Sequence, residues 1–66
     1  MKAKVIFVQK KDTKEGKQYF KNAILVSTRF GDDLAVASSN KDYTDKIGTD
    51  DNVDVFWYKD HYCINE

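Results

Sequence analysis

Apolar residues in this chain recur close to every second position in five short stretches, and between Ser39 and Asn52 the period changes. A period of two is that of a β-strand with one face toward a core, so the chain is expected to be mainly β. Residues 2–10 put Ala3, Val5 and Phe7 on one side and Lys4, Ile6 and Val8 on the other. The polar run Lys11-Asp12-Thr13-Lys14-Glu15-Gly16 ends in glycine, the chemistry of a longer hairpin loop. Residues 17–28 (KQYFKNAILVST) form a second strand rich in aromatic and β-branched types. Its alternation slips at Asn22-Ala23, which predicts a bulge or strong bend there. Phe30-Gly31-Asp32-Asp33 makes the next turn, and Leu34 to Ser38 form a short third strand.

The break in period predicts a helix of about two turns. Ser39-Asn40 would cap it, Asp42 would sit in its first turn, Tyr43 and Ile47 would share a side, and Gly48 would stop it. Residues 52–58 (NVDVFWY) read as a fourth strand, Lys59-Asp60 as a two-residue turn, and HYCINE as a fifth strand. Setting Tyr58 opposite His61 puts Trp57 beside Tyr62 and Val55 beside Ile64 on one face, with Phe56 beside Cys63 on the other. Trp57, Tyr62 and Phe20 are expected in the core. The order β-β-β-α-β-β is the layout of an OB-like, five-stranded small barrel with one short helix, here a single domain over residues 1–66. An SH3-like barrel or open sheet is the second choice, since it has no helix at that place.

A chain of 66 residues hides only about 60% of its unfolded surface, so its core is thin. Its one cysteine, Cys63, allows no internal disulfide. A lone thiol without a signal-peptide pattern reads as a reduced, cytoplasmic protein. No stretch is long enough to span a membrane as a helix. Net charge is zero but unevenly placed. Residues 1–33 carry eight basic groups (Lys2, Lys4, Lys10, Lys11, Lys14, Lys17, Lys21, Arg29) against Asp12, Glu15, Asp32 and Asp33, a balance of +4. Residues 34–66 carry Lys41, Lys46 and Lys59 against Asp42, Asp45, Asp50, Asp51, Asp54, Asp60 and Glu66, a balance of −4. Either one face is basic and another acidic, or the two halves pair in space and cancel.

Catalysis needs convergent groups, and few are on offer. His61 beside the tight turn reads as solvated, and Cys63 as a buried structural residue, with no orienting partner or oxyanion donors. Asp50-Asp51-Asn52-Val53-Asp54 starts like a calcium loop, but Val55 stands where glycine should and His61 where glutamate should. There is no phosphate-binding glycine loop and no zinc spacing. The expectation is a binding protein without cofactor, metal or enzymatic activity.

The sharpest signal is aromatic rings among positive charges. Lys14, Lys17, Tyr19 and Lys21 cluster around the second strand, and Lys17, Tyr19 and Lys21 share parity. A basic groove that follows phosphates, with rings on which bases stack, is how single-stranded nucleic acid is held. Lys4, Arg29 and Phe30 extend the same surface over strands one to three. The alternative role of Tyr19 is a core aromatic.

The run from Lys10 to Val36, with Gly16-Lys17-Gln18-Tyr19 at its centre, resembles the small OB-fold single-stranded-DNA-binding (helix-destabilising) proteins of filamentous phages. That resemblance implies a Gly-Lys-x-Tyr segment lining the DNA groove, carried here by Gly16, Lys17 and Tyr19, and a homodimer. The chain departs from the pattern in its shorter length and its acidic second half. Two readings therefore stand. The first is a protein that binds single-stranded DNA or RNA through a basic, aromatic groove. The second is a small protein-interaction or inhibitor module that meets a basic protein partner with Asp42, Asp45, Asp50, Asp51 and Asp54.

Overall fold

The computed structural model describes residues 1–66. The chain is mainly β: β1 (Lys2–Asp12), β2 (Gln18–Thr28), β3 (Gly31–Ser39), β4 (Val53–Tyr58) and β5 (His61–Ile64). They join in the order β1-β2-β3-β5-β4, and β4 returns to β1 through Lys2↔Asp54 and Ala3↔Val53, so the sheet closes into a ring. All neighbours are antiparallel except β3 and β5, which run parallel at Ala37↔Tyr62 and Ser38↔Cys63. The long ribbon β1-β2-β3 reaches past the ring, and the molecule measures 40 × 27 × 17 Å.

Alternation supplies the core: Ala3, Val5, Ile24, Val26, Ala37, Val53, Val55 and Ile64 are buried, and no aromatic is among them. Val8, Ala35, Tyr43 and Tyr62 pack partly against this cluster. Phe20, expected inside, is half-buried at the ring's end. Val5 pairs with Ile24 and Phe7 with Ala23, so Ile6 is the extra residue of a β-bulge. The bulge thus lies on β1, not at Asn22-Ala23 as the pattern suggested. β2 keeps its parity throughout, with Asn22, Ile24 and Val26 all inward. What resembled a slip is a polar residue at an inward position. On β1 the bulge exchanges faces, turning Val8 toward the core and leaving Phe7 60% exposed.

Asn22 is fully buried. Its Nδ2 donates to the Ala37 carbonyl and to Ser39 Oγ, both at 3.0 Å, which fixes the amide's orientation, while its Oδ1 has no partner within the chain. Ser39 Oγ passes the connection on, donating to the Lys41 carbonyl at 2.8 Å. This pair stitches β2 to the end of β3.

The expected helix is absent; only a 3-10 turn at Thr44–Lys46 forms. Ser39 cannot cap a helix because it is the last residue of β3 and its hydroxyl is already engaged. Asp42 instead accepts from the Thr44 backbone N–H at 2.9 Å and from the Thr44 hydroxyl, closing a local side-chain turn that competes with helix. These bonds hold the Asp42 carboxyl below the usual carboxylate range. Ile47 stays 39% exposed, so no apolar stripe forms. Tyr43 alone turns inward, and burial, then the nearby Glu66 and Asp45 carboxylates, raise its phenol above its ordinary value.

The β4–β5 hairpin has the register that its two-residue turn dictates: Val55↔Ile64, Phe56↔Cys63, Trp57↔Tyr62 and Tyr58↔His61. Trp57, however, is not core. It is 60% exposed because the hairpin's tip overhangs the ring, and it packs edge-to-face on Tyr62 with centroids 4.9 Å apart. Its indole N–H donates to the Lys59 carbonyl at 3.1 Å, bracing a turn in which Lys59 holds a positive φ of 55°. Cys63, expected buried, is half-buried and outward, since it pairs with exposed Phe56.

Candidate functional site

One row of side chains crosses the outside of the ring. The pairings Gln9↔Lys21, Lys21↔Ser38, Ser38↔Cys63 and Cys63↔Phe56 set these residues side by side over β1, β2, β3, β5 and β4. The parallel contact of β3 with β5 brings the β4–β5 hairpin up against the β1–β2 hairpin, and an open groove lies between the two. Its volume is about 610 Å³, and it is lined by Thr13, Tyr19, Ser38, Ser39, Asn40, Phe56, Tyr58, Cys63 and Ile64. A depression of about 410 Å³ continues it, sharing Tyr19 and Ser38 and adding Lys21, Val36, Asp60 and His61. Tyr19 therefore forms one wall and Phe56, Tyr58 and His61 the other, with Ser38 on the floor.

Each wall is held locally. On the β1–β2 side, Thr13 N–H donates to the Lys17 carbonyl at 2.8 Å and Lys17 N–H to Thr13 Oγ1 at 3.1 Å. Gly16 closes that loop at φ 78°, a conformation that side-chain-bearing residues adopt at a cost. On the opposite wall, the Tyr58 and His61 rings meet edge-to-face at 6.2 Å, and Lys59 Nζ lies 5.4 Å from the Tyr58 centroid. His61 Nδ1 lies 2.8 Å from Asp60 Oδ1. The hydrogen bond from His61, reinforced by its charge, lowers the Asp60 carboxyl from its ordinary value.

The charge asymmetry is only partly cancelled by contacts between the two halves. The four ion pairs are Met1 N–Asp54, Lys4–Asp50, Lys46–Asp51 and His61–Asp60. Two of them join the basic half of the chain to the acidic half. Glu66 accepts the backbone N–H groups of Asn40 and Lys41, and Asp42 is taken up by Thr44. No ion pair involves Lys10, Lys11, Lys14, Lys17, Lys21 or Lys41, nor Asp12 or Glu15, so the β1–β2 hairpin carries more unpaired positive than negative charges.

Of the residues singled out from sequence, Tyr19 and Lys21 lie in the groove, and Lys14 and Lys17 are exposed in the loop that forms its rim. Lys17 precedes β2, so it shares no strand face with Tyr19. Lys4 lies elsewhere. It pairs with Asp50 at 3.7 Å and lines a separate depression with Lys2, Leu25, Ser27, Asp32 and Asn52. Arg29 and Phe30 sit at the far tip of the β2–β3 hairpin, about 30 Å from Tyr19 by strand rise, with Phe30 97% exposed. Sequence reasoning missed Phe56, Tyr58 and His61. Their common outward parity on β4 and β5 was readable, but their opposition to Tyr19 depends on ring closure. The chain matches no known protein family, curated protein or solved structure.

Proposed function

We propose that this chain is an OB-type single-stranded-nucleic-acid-binding protein, acting without enzymatic activity or cofactor in the cytoplasm. The strand order, with β3 parallel to β5, supports the OB assignment, although the helix that ranked it above an SH3-like barrel is replaced by a 3-10 turn; Tyr43 from that segment packs against the core. OB-folds take oligonucleotides on the β2–β3 face between the β1–β2 and β4–β5 loops, which is where the groove runs. The carrying observation is that Tyr19 faces Phe56 and Tyr58 across one open groove whose rim lysines have no carboxylate partner. This arrangement also fits the resemblance to the filamentous-phage proteins through Gly16, Lys17 and Tyr19. Against the rival reading, in which the acidic half meets a basic protein, Asp50, Asp51 and Asp54 each already lie beside a cation of the chain, in ion pairs that remain exposed.

The same reading includes a homodimer. Phe7, Ala23 and Val36 form one outward cross-strand row, next to Leu25 and Leu34, and Phe7, Leu34 and Val36 are more than half exposed. A second copy covering that strip would supplement a thin core.

The test is titration of a labelled dT oligomer of about ten nucleotides at several salt concentrations. Binding whose logarithm falls linearly with log salt is expected. Equal, negligible affinity for DNA and RNA at low salt would end the proposal.

A further inference from the structure

The groove differs from its continuation in charge. No Lys, Arg, His, Asp or Glu is among the nine residues that line it, whereas the adjoining depression contains Lys21, Asp60 and His61. Lys21 in the second offers a cation to a phosphate, with Asp60 as an opposing charge, and the first suits a flat apolar ring. A volume of about 610 Å³ lies within the roughly 300–1,000 Å³ that small-ligand sites occupy.

Hydrogen-bonding capacity in the groove is unevenly used. Ser39 Oγ accepts from Asn22 and spends its one donor on the Lys41 carbonyl, and the residue is buried, so it has no proton to offer a ligand. Ser38, near the end of β3, and Asn40, just beyond it, both line the groove and make no side-chain hydrogen bond to the protein. The backbone that presents them is fixed. Ser38 is locked between Lys21 and Cys63 in the sheet, and the Asn40 N–H donates to Glu66 Oε2 at 3.2 Å. The Asn40 carboxamide, unengaged within the chain, holds a donor and an acceptor side by side, the pattern that meets a base edge in a bidentate way.

Resting on the nucleic-acid reading above, we propose that this groove seats one unstacked nucleobase and discriminates among bases. Tyr19 and the Phe56–Tyr58 wall contact the ring faces, while the Ser38 hydroxyl and Asn40 carboxamide read the edge. Single-stranded recognition of this type is sequence-selective at one position, unlike stacking alone, which any base satisfies.

The experiment compares affinities for dA, dC, dG and dT oligomers of about ten nucleotides at one salt concentration, for the wild type and for Asn40→Ala, Ser38→Ala and Lys17→Ala. The wild type is expected to separate its best and worst oligomers by at least about 5-fold, the lower bound for a bidentate contact. Asn40→Ala should compress that spread by a similar factor, and Ser38→Ala by less. Lys17→Ala should weaken all four alike and leave the spread unchanged. Binding of all four with equal affinity, or an undiminished spread in Asn40→Ala, overturns base reading while leaving single-strand binding intact. Absence of binding to every oligomer overturns both.

Discussion

The two ends of the β2–β3 hairpin have similar residues and different surroundings. At one end Tyr19 and Lys21 face a second hairpin across a groove; at the other, Arg29 and Phe30 project from a tip with nothing opposite. An aromatic ring beside a positive charge is thus not a site in itself. Two walls are needed so that a flat ligand loses water from both faces, and only the parallel junction of β3 with β5 provides the second wall. The groove end is also stitched internally by Asn22, whereas the tip has only local bonds, such as Thr28 Oγ1 donating to the Gly31 carbonyl at 2.6 Å.

The largest effect should come from the stitch. Asn22→Ala removes two buried hydrogen bonds and opens a small cavity, and the release of the unpartnered Oδ1 offsets only part of that loss. A destabilisation of about 2–4 kcal/mol is expected, measured by denaturant melting. Unchanged stability would show that β2 and β3 hold the groove floor without it, and the contrast between the two ends would lose its structural basis.

Next come the walls. Tyr19→Ala and Tyr58→Ala should each weaken oligonucleotide binding by about 1–3 kcal/mol, with little change in the salt slope. Phe30→Ala, although it removes the most exposed ring in the molecule, should change affinity by less than about 0.5 kcal/mol. Melting curves must accompany these titrations, because Tyr19 is half-buried and the alternative is a packing role. Equal losses for Phe30→Ala and Tyr58→Ala would make the tip a second site and erase the distinction.

Charges give a smaller, differently shaped signal. Lys21→Ala should reduce the slope of log affinity against log salt by about 0.7, the counterion released by one single-strand phosphate contact. Arg29→Ala should leave the slope as it is. A slope that falls for both variants would extend the ligand's track along the whole hairpin.

Which parts of this arrangement were readable in the sequence follows from how local each determinant is. The β4–β5 register was fully readable, because a two-residue turn at Lys59-Asp60 leaves one alignment for the flanking alternation. The segment after Ser39 was not. Its capping residues were real hydrogen-bonding groups, but Ser39 spends its hydroxyl on Asn22, seventeen positions earlier, and Asp42 closes a tighter local turn. Asn22 itself misled in the opposite sense, since a polar residue on the inward parity mimics a broken alternation. For the site, Tyr19 and Lys21 were visible as neighbours on one strand. Phe56, Tyr58 and His61 were not, because only the closed ring sets them opposite Tyr19.

The smallest effect concerns Asp60, the one acidic group beside the groove's charged continuation. Its carboxylate accepts from His61 and is more acidic in the folded chain than an ordinary aspartate. A depressed carboxyl contributes stability that is present above its unfolded pKa of about 3.9 and is lost as pH falls through the folded value. The melting temperature of Asp60→Asn should therefore lie slightly below that of the wild type at neutral pH, and the two should converge as the pH drops below about 4. Because the group is fully exposed, the difference at neutral pH should be only slight. The same substitution removes a negative charge that faces an incoming phosphate, so at low salt Asp60→Asn should bind single strands somewhat more tightly while being less stable. Opposite signs in the two measurements are what distinguish a groove residue from one at the hairpin tip. If Asp60→Asn binds more weakly at low salt, phosphates do not pass the His61 side of the groove, and the track must run instead along the Lys14–Lys17 rim.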